Sequence, residues 1–583
     1  MKERILRGIP ISSGVGIGKI YIYQRKLPPV EERVIPEARL EEEISSFRSA
    51  LSSVEGELNL MYQKVREEMG ADIAEFIKFQ ILLLKDKTIL EGVEKIIREK
   101  KRDAAFAYHQ VIKDYISPML SSPVPFMRDR IIDIMDLAER ILLSLLGRTK
   151  DSLLSLSEEV ILFAHNLAPT DVAMIDKRFV KGVAVESGGK SGHVAIMTKA
   201  REIPAVNGIP NLLSQARAGF TAIVDGNRGV IILNPNEKRL GQYRREMEEE
   251  RRRRASYSRK KEEEPITRDG KYIDLSANIE FIGEVEMAKE YGAKGIGLFR
   301  TEYIFLSRRR LPTEEEQLFF YQEVSSKMKP YPVIIRTFDL GGDKIIPGYS
   351  ETNPFLGWRG IRVGLQKKDF LITQIRAILK ASAQNKNLKI MFPMITGIEE
   401  IQACRVILNS VKEELKEKRV PFDPAIEFGI MVETPACALL AEKFAKICSF
   451  FSIGSNDLIQ YTLACARDNE KVAHLYDPFH PAVIRLYKET IDAARKNGIW
   501  VGVCGELASE PLGIILLVGL GIDELSMVPH RIPVAKEIIR SLEFTRLQDT
   551  IKKILTLSTG SGVKRFLVGE VKENFPKLSA IFG

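Results

Sequence analysis

His193 opens the run Gly188-Gly189-Lys190-Ser191-Gly192-His193-Val194-Ala195-Ile196-Met197, a glycine-rich turn leading into an apolar helical pattern. The first turn of a helix leaves amide N–H groups unpaired and aimed at any anion held there. An imidazole is also a competent nucleophile near neutral pH. A histidine so placed is set up to carry a phosphoryl group, provided that the rest of the chain supplies a donor.

A second set of chemistry-bearing residues lies far downstream. Arg300, Arg336, Glu433, Asn456, Asp457 and Cys504 each fall at or just past the end of a short apolar run. Arginine offers a planar fork that meets carboxylate or phosphate oxygens two at a time and keeps its charge when partly buried. Arg467, in a loop after the sixth run, and Lys344 add positive charge. Glu433 and Asp457 are hard oxygen ligands of the kind Mg²⁺ takes, one or two carboxylates at a time beside substrate phosphate and water. Cys504, in the string GVCGE, is a candidate proton donor or acceptor, because cationic surroundings draw a thiol toward neutral pH. The set suits a small phosphorylated dianion held beside a divalent metal.

The elements that must position these residues follow from periodicity. From Tyr272 onward, eight β-branched or apolar runs (YIDLSANI, GIGLFRT, VIIRTFDL, KIMFPMI, FGIMVET, FFSIGSNDL, WVGVCGE and ELSMVP) alternate with helical patterns. Eight strand–helix alternations predict a (β/α)₈ barrel over 265–583, whose strand ends form the reactive rim. Residues 34–147 carry helical spacing without strand runs, which predicts an antiparallel helical bundle. Strand-like pieces flank it, so 1–33 and 148–236 form one α/β domain containing His193, with the bundle inserted. A charged helix over 237–264 links the parts; Glu248, Glu249 and Glu250 precede Arg252, Arg253 and Arg254 by four residues, a favourable pairing.

Composition excludes several classes. The 583 residues suit a multidomain protein, with 45% hydrophobic and 28% charged residues typical of a globular chain. The N-terminus lacks a signal-peptide pattern and the longest apolar stretch, GIILLVGLGI, is too short for a bilayer, so a cytoplasmic protein without membrane insertion is expected. Five cysteines with no CxxC pair argue against a disulfide framework or a zinc site. The net charge is +9, but the densest basic run, Arg251 to Arg254, lies in the alternating-charge helix rather than in a binding arm, which speaks against nucleic acid.

The strings GIGLFRTE, IIRTFDLGGDK, NPFLGWRGIR, GIMVETPA, FFSIGSNDLIQYTLA and VCGE, with GIPISSGVGIGK at the start and GGKSGHVAIMTKAREIPAV in the middle, resemble enzyme I of the sugar phosphotransferase system, the phosphoenolpyruvate–protein phosphotransferases. The resemblance spans essentially the whole chain. It implies that phosphoenolpyruvate phosphorylates His193. Arg300, Arg336, Arg467 and Asn456 would bind that substrate, with Lys344 adding charge, Glu433 and Asp457 holding Mg²⁺, and Cys504 protonating the enolate to pyruvate. It further implies onward transfer to a histidine of the phosphocarrier HPr docked on the helical insertion, a hinge motion of the α/β domain, and a homodimer through the barrel. Ser191-Gly192 stand where that family usually has Thr-Ser, Ala466-Arg467-Asp468-Asn469 replaces Asp-Arg-Gly-Asn, Gln80 replaces a common histidine, and Met135-Asp136-Leu137 a more polar triplet. Three alternatives compete. A dikinase or synthase would need an ATP-binding domain, and the region before His193 holds no P-loop. A regulatory homologue would have little reason to keep nucleophile, metal ligands and acid together. A nucleic-acid binder would not form phosphohistidine.

Overall fold

The computed structural model describes residues 3–24, 27–69, 71–120, 125–148, 153, 156–187, 193–201, 203–259, 262–306, 311–341, 351, 353–467, 469, 471–575 and 578. The chain divides into two compact units, 1–252 and 253–583.

In the first unit, β1 (Arg4–Arg7), β2 (Ile9–Ser12) and β3 (Val15–Tyr23) precede the helices, and β4 (Val160–Ala164), β5 (Val180–Val185), β6 (Ala205–Asn207), β7 (Thr221–Asp225) and β8 (Val230–Leu233) follow them. All eight join one sheet in the order β1-β8-β7-β3-β4-β5-β6-β2. β3 to β6 run parallel, whereas β7, β8, β1 and β2 add antiparallel edges. The insertion between β3 and β4 comprises α1 (Leu40–Met69), α2 (Ala71–Leu83), α3 (Lys87–Lys100), α4 (Ala104–Leu120) and α5 (Pro125–Leu145). Local chemistry fixes their ends: three glutamates sit in the first turn of α1, and Asp86 caps α3 by accepting from the Thr88 and Ile89 N–H groups. Smaller helices α6 (Pro169–Ala173), α7 (His193–Ala200) and α8 (Leu212–Gln215) pack on the sheet, and α9 (Glu237–Arg259) carries the alternating charge, with Arg252 paired to Glu248 at 3.3 Å. His193 is the first residue of α7.

In the second unit, β9 (Asp274–Ile279), β10 (Ile296–Arg300), β11 (Val333–Arg336), β12 (Leu388–Phe392), β13 (Phe428–Val432), β14 (Phe450–Ile453), β15 (Trp500–Val503) and β16 (Glu524–Met527) close into a barrel. Every neighbouring pair is parallel, and each strand lies within one of the eight runs expected from sequence, save that β12 starts one residue earlier, at Leu388. Strands buried on both faces need continuous apolar sequence, which Phe-Gly-Ile-Met-Val in β13 supplies. Leu298, Ile334, Met391, Met431, Phe450 and Cys504 fill the barrel interior, and burying each of the larger side chains stabilises the fold by about 1.5–3 kcal/mol. The interior is therefore a packed core with its chemistry displaced to one rim.

Candidate functional site

The rim at the carboxyl ends of the strands gathers Arg300 and Arg336, the last residues of β10 and β11, Glu433 after β13, Asn456 and Asp457 in the helix Ser455–Leu463 after β14, and Cys504 after β15. Two glycines make this assembly possible. A Cβ at Gly454 would come within 3.0 Å of Glu433 Oε2, and one at Gly505 would collide with Ser455 Oγ. Met394 is held in the left-handed region at φ 58°, and from there its N–H donates to Glu433 Oε1 at 2.6 Å. Strained backbone retained at a rim is the usual sign that the aim of a polar group matters more than local comfort.

Charge is balanced tightly around Arg336. Its guanidinium lies 3.0 Å from Glu302 and 3.3 Å from Asp339, and Nη1 reaches Met431 Sδ at 3.7 Å. Burial works against its charge, but Glu302, Asp339 and Glu433 outweigh it and hold the group firmly protonated. Among the described residues its buried Nε has no hydrogen-bond partner. Arg359 forks onto both oxygens of Asp339 and lies 3.8 Å from Asp457, with the Phe355 ring 5.8 Å away. Arg300 pairs with Glu280 at 2.9 Å and is about 41% exposed. Arg467 and Asn456 meet a little further out, both on Glu506: Arg467 Nη1 and Asn456 Nδ2 each donate to its Oε1 at 3.3 Å, and its N–H donates to Asn456 Oδ1 at 2.9 Å.

Glu433 is the most perturbed acid of this rim. Burial, with Asp457 and Asp339 close by, pushes its carboxyl up to about 8 despite Arg336 and Arg359. Among the described residues no three His, Cys, Asp or Glu side chains are placed to share a metal ion. A buried carboxyl held up by neighbouring acids, with Asp457 among them, nevertheless fits Mg²⁺, which takes one or two protein carboxylates and relieves that repulsion. Glu433 and Asp457 therefore suit the group that the sequence assigns them.

Cys504 corrects an expectation. The cationic rim was to draw its thiol toward neutral pH; instead burial pushes it up to about 11, and the hydrogen bond with Ser452 and the charges of Arg336 and Arg300 only moderate the rise. Sγ lies 3.7 Å from the Ile453 carbonyl, and Asn278 Nδ2 fixes the Cys504 carbonyl at 2.9 Å. At neutral pH the group is a loaded thiol, suited to give a proton rather than to take one.

Sequence reasoning missed Arg359, Asp339 and Glu302. Each stood in a quoted string, and Asp339 could have been found as the acid three residues after Arg336 that a buried arginine requires. Lys344 lies outside the described residues, as do the turn 188–192 and the side chain of His193.

The fold and rim define an enzyme that uses phosphoenolpyruvate. Residues 254–544 match the family described as PEP-utilising enzyme, PEP-binding domain, 7–130 the N-terminal domain of such enzymes, and 156–229 their mobile domain. The chain is 39% identical over 97% of its length to the phosphoenolpyruvate-protein phosphotransferase of Bacillus sp. (strain S), covering 98% of that protein. It is 38% identical to the enzyme of the same name from Bacillus subtilis, covering 98% of this chain and 99% of the relative. A solution structure of an Enzyme I protein overlaps 42% of this chain and 99% of its own, with 36% identity and a TM-score of 0.36. The chain belongs to the phosphoenolpyruvate-protein phosphotransferase family.

Proposed function

We propose that this enzyme moves the phosphoryl group of phosphoenolpyruvate to His193, releases pyruvate, and passes the group on to a histidine of the phosphocarrier HPr in the cytoplasm. The observation that carries the reading is the rim, where charged arginines, crowded carboxylates and a protonated thiol converge on the open end of one barrel.

Arg336 and Arg300, with Arg467, Asn456 and Lys344, bind the phosphate and carboxylate of the substrate. Phosphoryl transfer relies mainly on positioning and on neutralising charge, and these groups do both without rearranging. Mg²⁺, held by Glu433 and Asp457, supplies Lewis-acid neutralisation of the phosphate oxygens. His193 attacks phosphorus; the bond to the enol oxygen breaks as the bond to nitrogen forms. The enolate left behind takes its proton at carbon from Cys504 Sγ, which gives pyruvate and a thiolate facing Arg336 and Arg300, to be reprotonated from solvent. Arg359 contributes by holding Asp339, which also pairs with Arg336, so that the position of the Arg336 guanidinium is fixed from both sides.

The domain reading completes the cycle. His193, on the α/β domain of 1–33 and 148–236, is loaded at the barrel of 265–583 and unloaded on the inserted bundle of 34–147, with 237–264 as linker. One histidine serving both places requires a hinge motion. The barrel pairs two copies into a homodimer. Incubation with phosphoenolpyruvate and Mg²⁺ tests the reading: the wild type gains an acid-labile, base-stable phosphoryl group with one pyruvate released, and His193→Ala gains none. Labelling that persists in His193→Ala overturns it.

A further inference from the structure

The boundary between the helical insertion and the eight-stranded sheet carries a polar knot that packing alone does not require. Asp136 on α5 is fully buried, and its Oδ2 accepts from Gln80 Nε2 on α2 at 3.0 Å, from Arg140 Nε at 3.2 Å and from Thr170 Oγ1 at 2.6 Å. Arg140, also buried, pairs with Glu57 on α1. Burial opposes its charge, while Asp136 and Glu57 hold it protonated. The bond from Thr170 leaves the insertion, because Thr170 belongs to α6. There α6 is fixed in turn: Tyr23, at the end of β3, donates its hydroxyl to Asp171 Oδ1 at 2.8 Å, and the Ala168 N–H donates to Asp171 Oδ2 at 2.8 Å. α6 also packs against α7, which begins at His193.

The knot is expensive for what it gives in stability. Among the described residues, Gln80 Oε1 and Arg140 Nη2 are buried without partners, and a partly satisfied polar network is worth less than apolar side chains of the same volume. What a directional bond offers and a greasy contact does not is one fixed arrangement of the two bodies it joins. Met135 and Leu137, the neighbours of Asp136, cannot offer it.

We propose that Asp136 is a positioning residue for the second half-reaction: through Thr170 it clasps the part that carries His193 onto the helical insertion in the arrangement from which the phosphocarrier is served. The inference rests on the reading above, in which one histidine is loaded at the barrel and unloaded at the insertion. Loading needs no contact with the insertion. Unloading places the phosphoryl group between His193 and a partner seated on that insertion, so an angular slip at α6 is felt there and not at the barrel. The clasp acts through α6 and α7 and touches neither substrate.

The test is Thr170→Val in the full chain, which keeps the volume and removes the hydroxyl. Two rates are read: formation of phosphohistidine from phosphoenolpyruvate and Mg²⁺ in a single turnover, and transfer from the phosphorylated chain to HPr. Transfer falls about tenfold, the worth of one buried hydrogen bond to a charged group, while loading stays within about twofold. Thr170→Ser, which keeps the hydroxyl, restores transfer, and Asp136→Asn gives the same split as Thr170→Val. Equal loss in both rates, no loss in either, or failure of the serine variant to rescue overturns the clasp. A wild-type chain that takes no phosphoryl group at all overturns the parent reading instead, so the two failures are distinct.

Discussion

The two ends of the barrel each bury a glutamic acid, and they use it differently. At the carboxyl rim, Glu433 sits among Asp339, Asp457, Arg336 and Arg359, and burial plus its acidic neighbours lift it to about 8. At the opposite end, Glu524 begins β16 and is lifted to about 7, chiefly by burial, with the Ser276 hydroxyl bond and Lys389 restraining the rise and Asp274 adding to it. A Cβ at Gly297 would come within 2.8 Å of Glu524 Oε1, and its Oε2 is buried with no partner. Lys389 is engaged elsewhere, paired with Glu427 at 2.8 Å and stacked 4.8 Å from the Trp500 ring. The rim acid is surrounded by charge that a substrate and a cation can complete. The base acid is closed in at Gly297 and Gly502, where burial rather than opposing charge sets its protonation. Similar perturbation therefore marks a reactive site only where several charged side chains surround the acid, as Arg336, Arg359, Asp339 and Asp457 do at the rim.

The strongest way to break this contrast is to empty the rim of its buried cation. Arg336→Met removes the group that meets the phosphate and leaves Glu302 and Asp339 uncompensated, and kcat/KM for phosphoenolpyruvate falls by about 10²–10³-fold in a pyruvate-release assay. Arg336→Lys recovers little, because an ammonium cannot replace the fork. A fall of less than about fivefold would make Arg336 a structural ion pair and the rim no different from the base.

Cys504 comes next. With its thiol held at about 11, Cys504→Ser removes a proton donor in favour of a much weaker acid, and pyruvate formation slows by about 10²-fold while substrate binding, followed by protection against heat, stays the same. Unchanged pyruvate formation would remove the acid role.

Glu433 gives the third test, through pH. Mg²⁺ needs the carboxylate, and the folded chain holds the acid form below about 8, so binding expels a proton. Apparent Mg²⁺ affinity, measured by calorimetric titration, rises by up to about tenfold per pH unit toward pH 8 and levels off above it. Glu433→Gln flattens the profile. A profile that is flat in the wild type means that Glu433 does not ligate the ion.

How much of this was visible in the residues differs by element. The barrel was legible because buried parallel strands demand near-continuous apolar runs, and their last residues announce the rim. The insertion was legible because helical spacing in 34–147 interrupts strand patterns that the sheet order rejoins as β3 beside β4. What stayed hidden depends on distance in space rather than along the chain. Asp339 and Arg359, twenty residues apart, form one ion pair across a loop without periodicity. The rise of the Cys504 thiol depends on how completely β15 is enclosed, and composition near the cysteine pointed the other way. Gln80 was noticed as a departure from a pattern, and Asp136 only as the middle of an altered triplet; that they bond to each other across 56 positions is visible only in three dimensions.

The smallest effect on the reaction, and the sharpest on the comparison, comes from Glu524. An ordinary carboxyl in the unfolded chain titrates near 4.3, and the folded one near 7. Below the lower value both states are protonated and the contribution to stability is whole. As pH rises toward 7 the unfolded chain ionises first, so the folded state loses ground, by roughly 4 kcal/mol once the higher value is passed. Glu433 adds a larger loss up to about 8, but Mg²⁺ reverses that part by binding the ionised form. The barrel transition in scanning calorimetry should therefore fall in midpoint from pH 5 to pH 8, with two separable components. Mg²⁺ at pH 8 recovers the rim component in the wild type and in Glu524→Gln alike. Glu524→Gln removes the base component with or without the ion, and leaves pyruvate release unchanged. If Mg²⁺ instead recovers the whole loss, the base acid is as open to a cation as the rim acid, and the distinction between the two ends of the barrel fails.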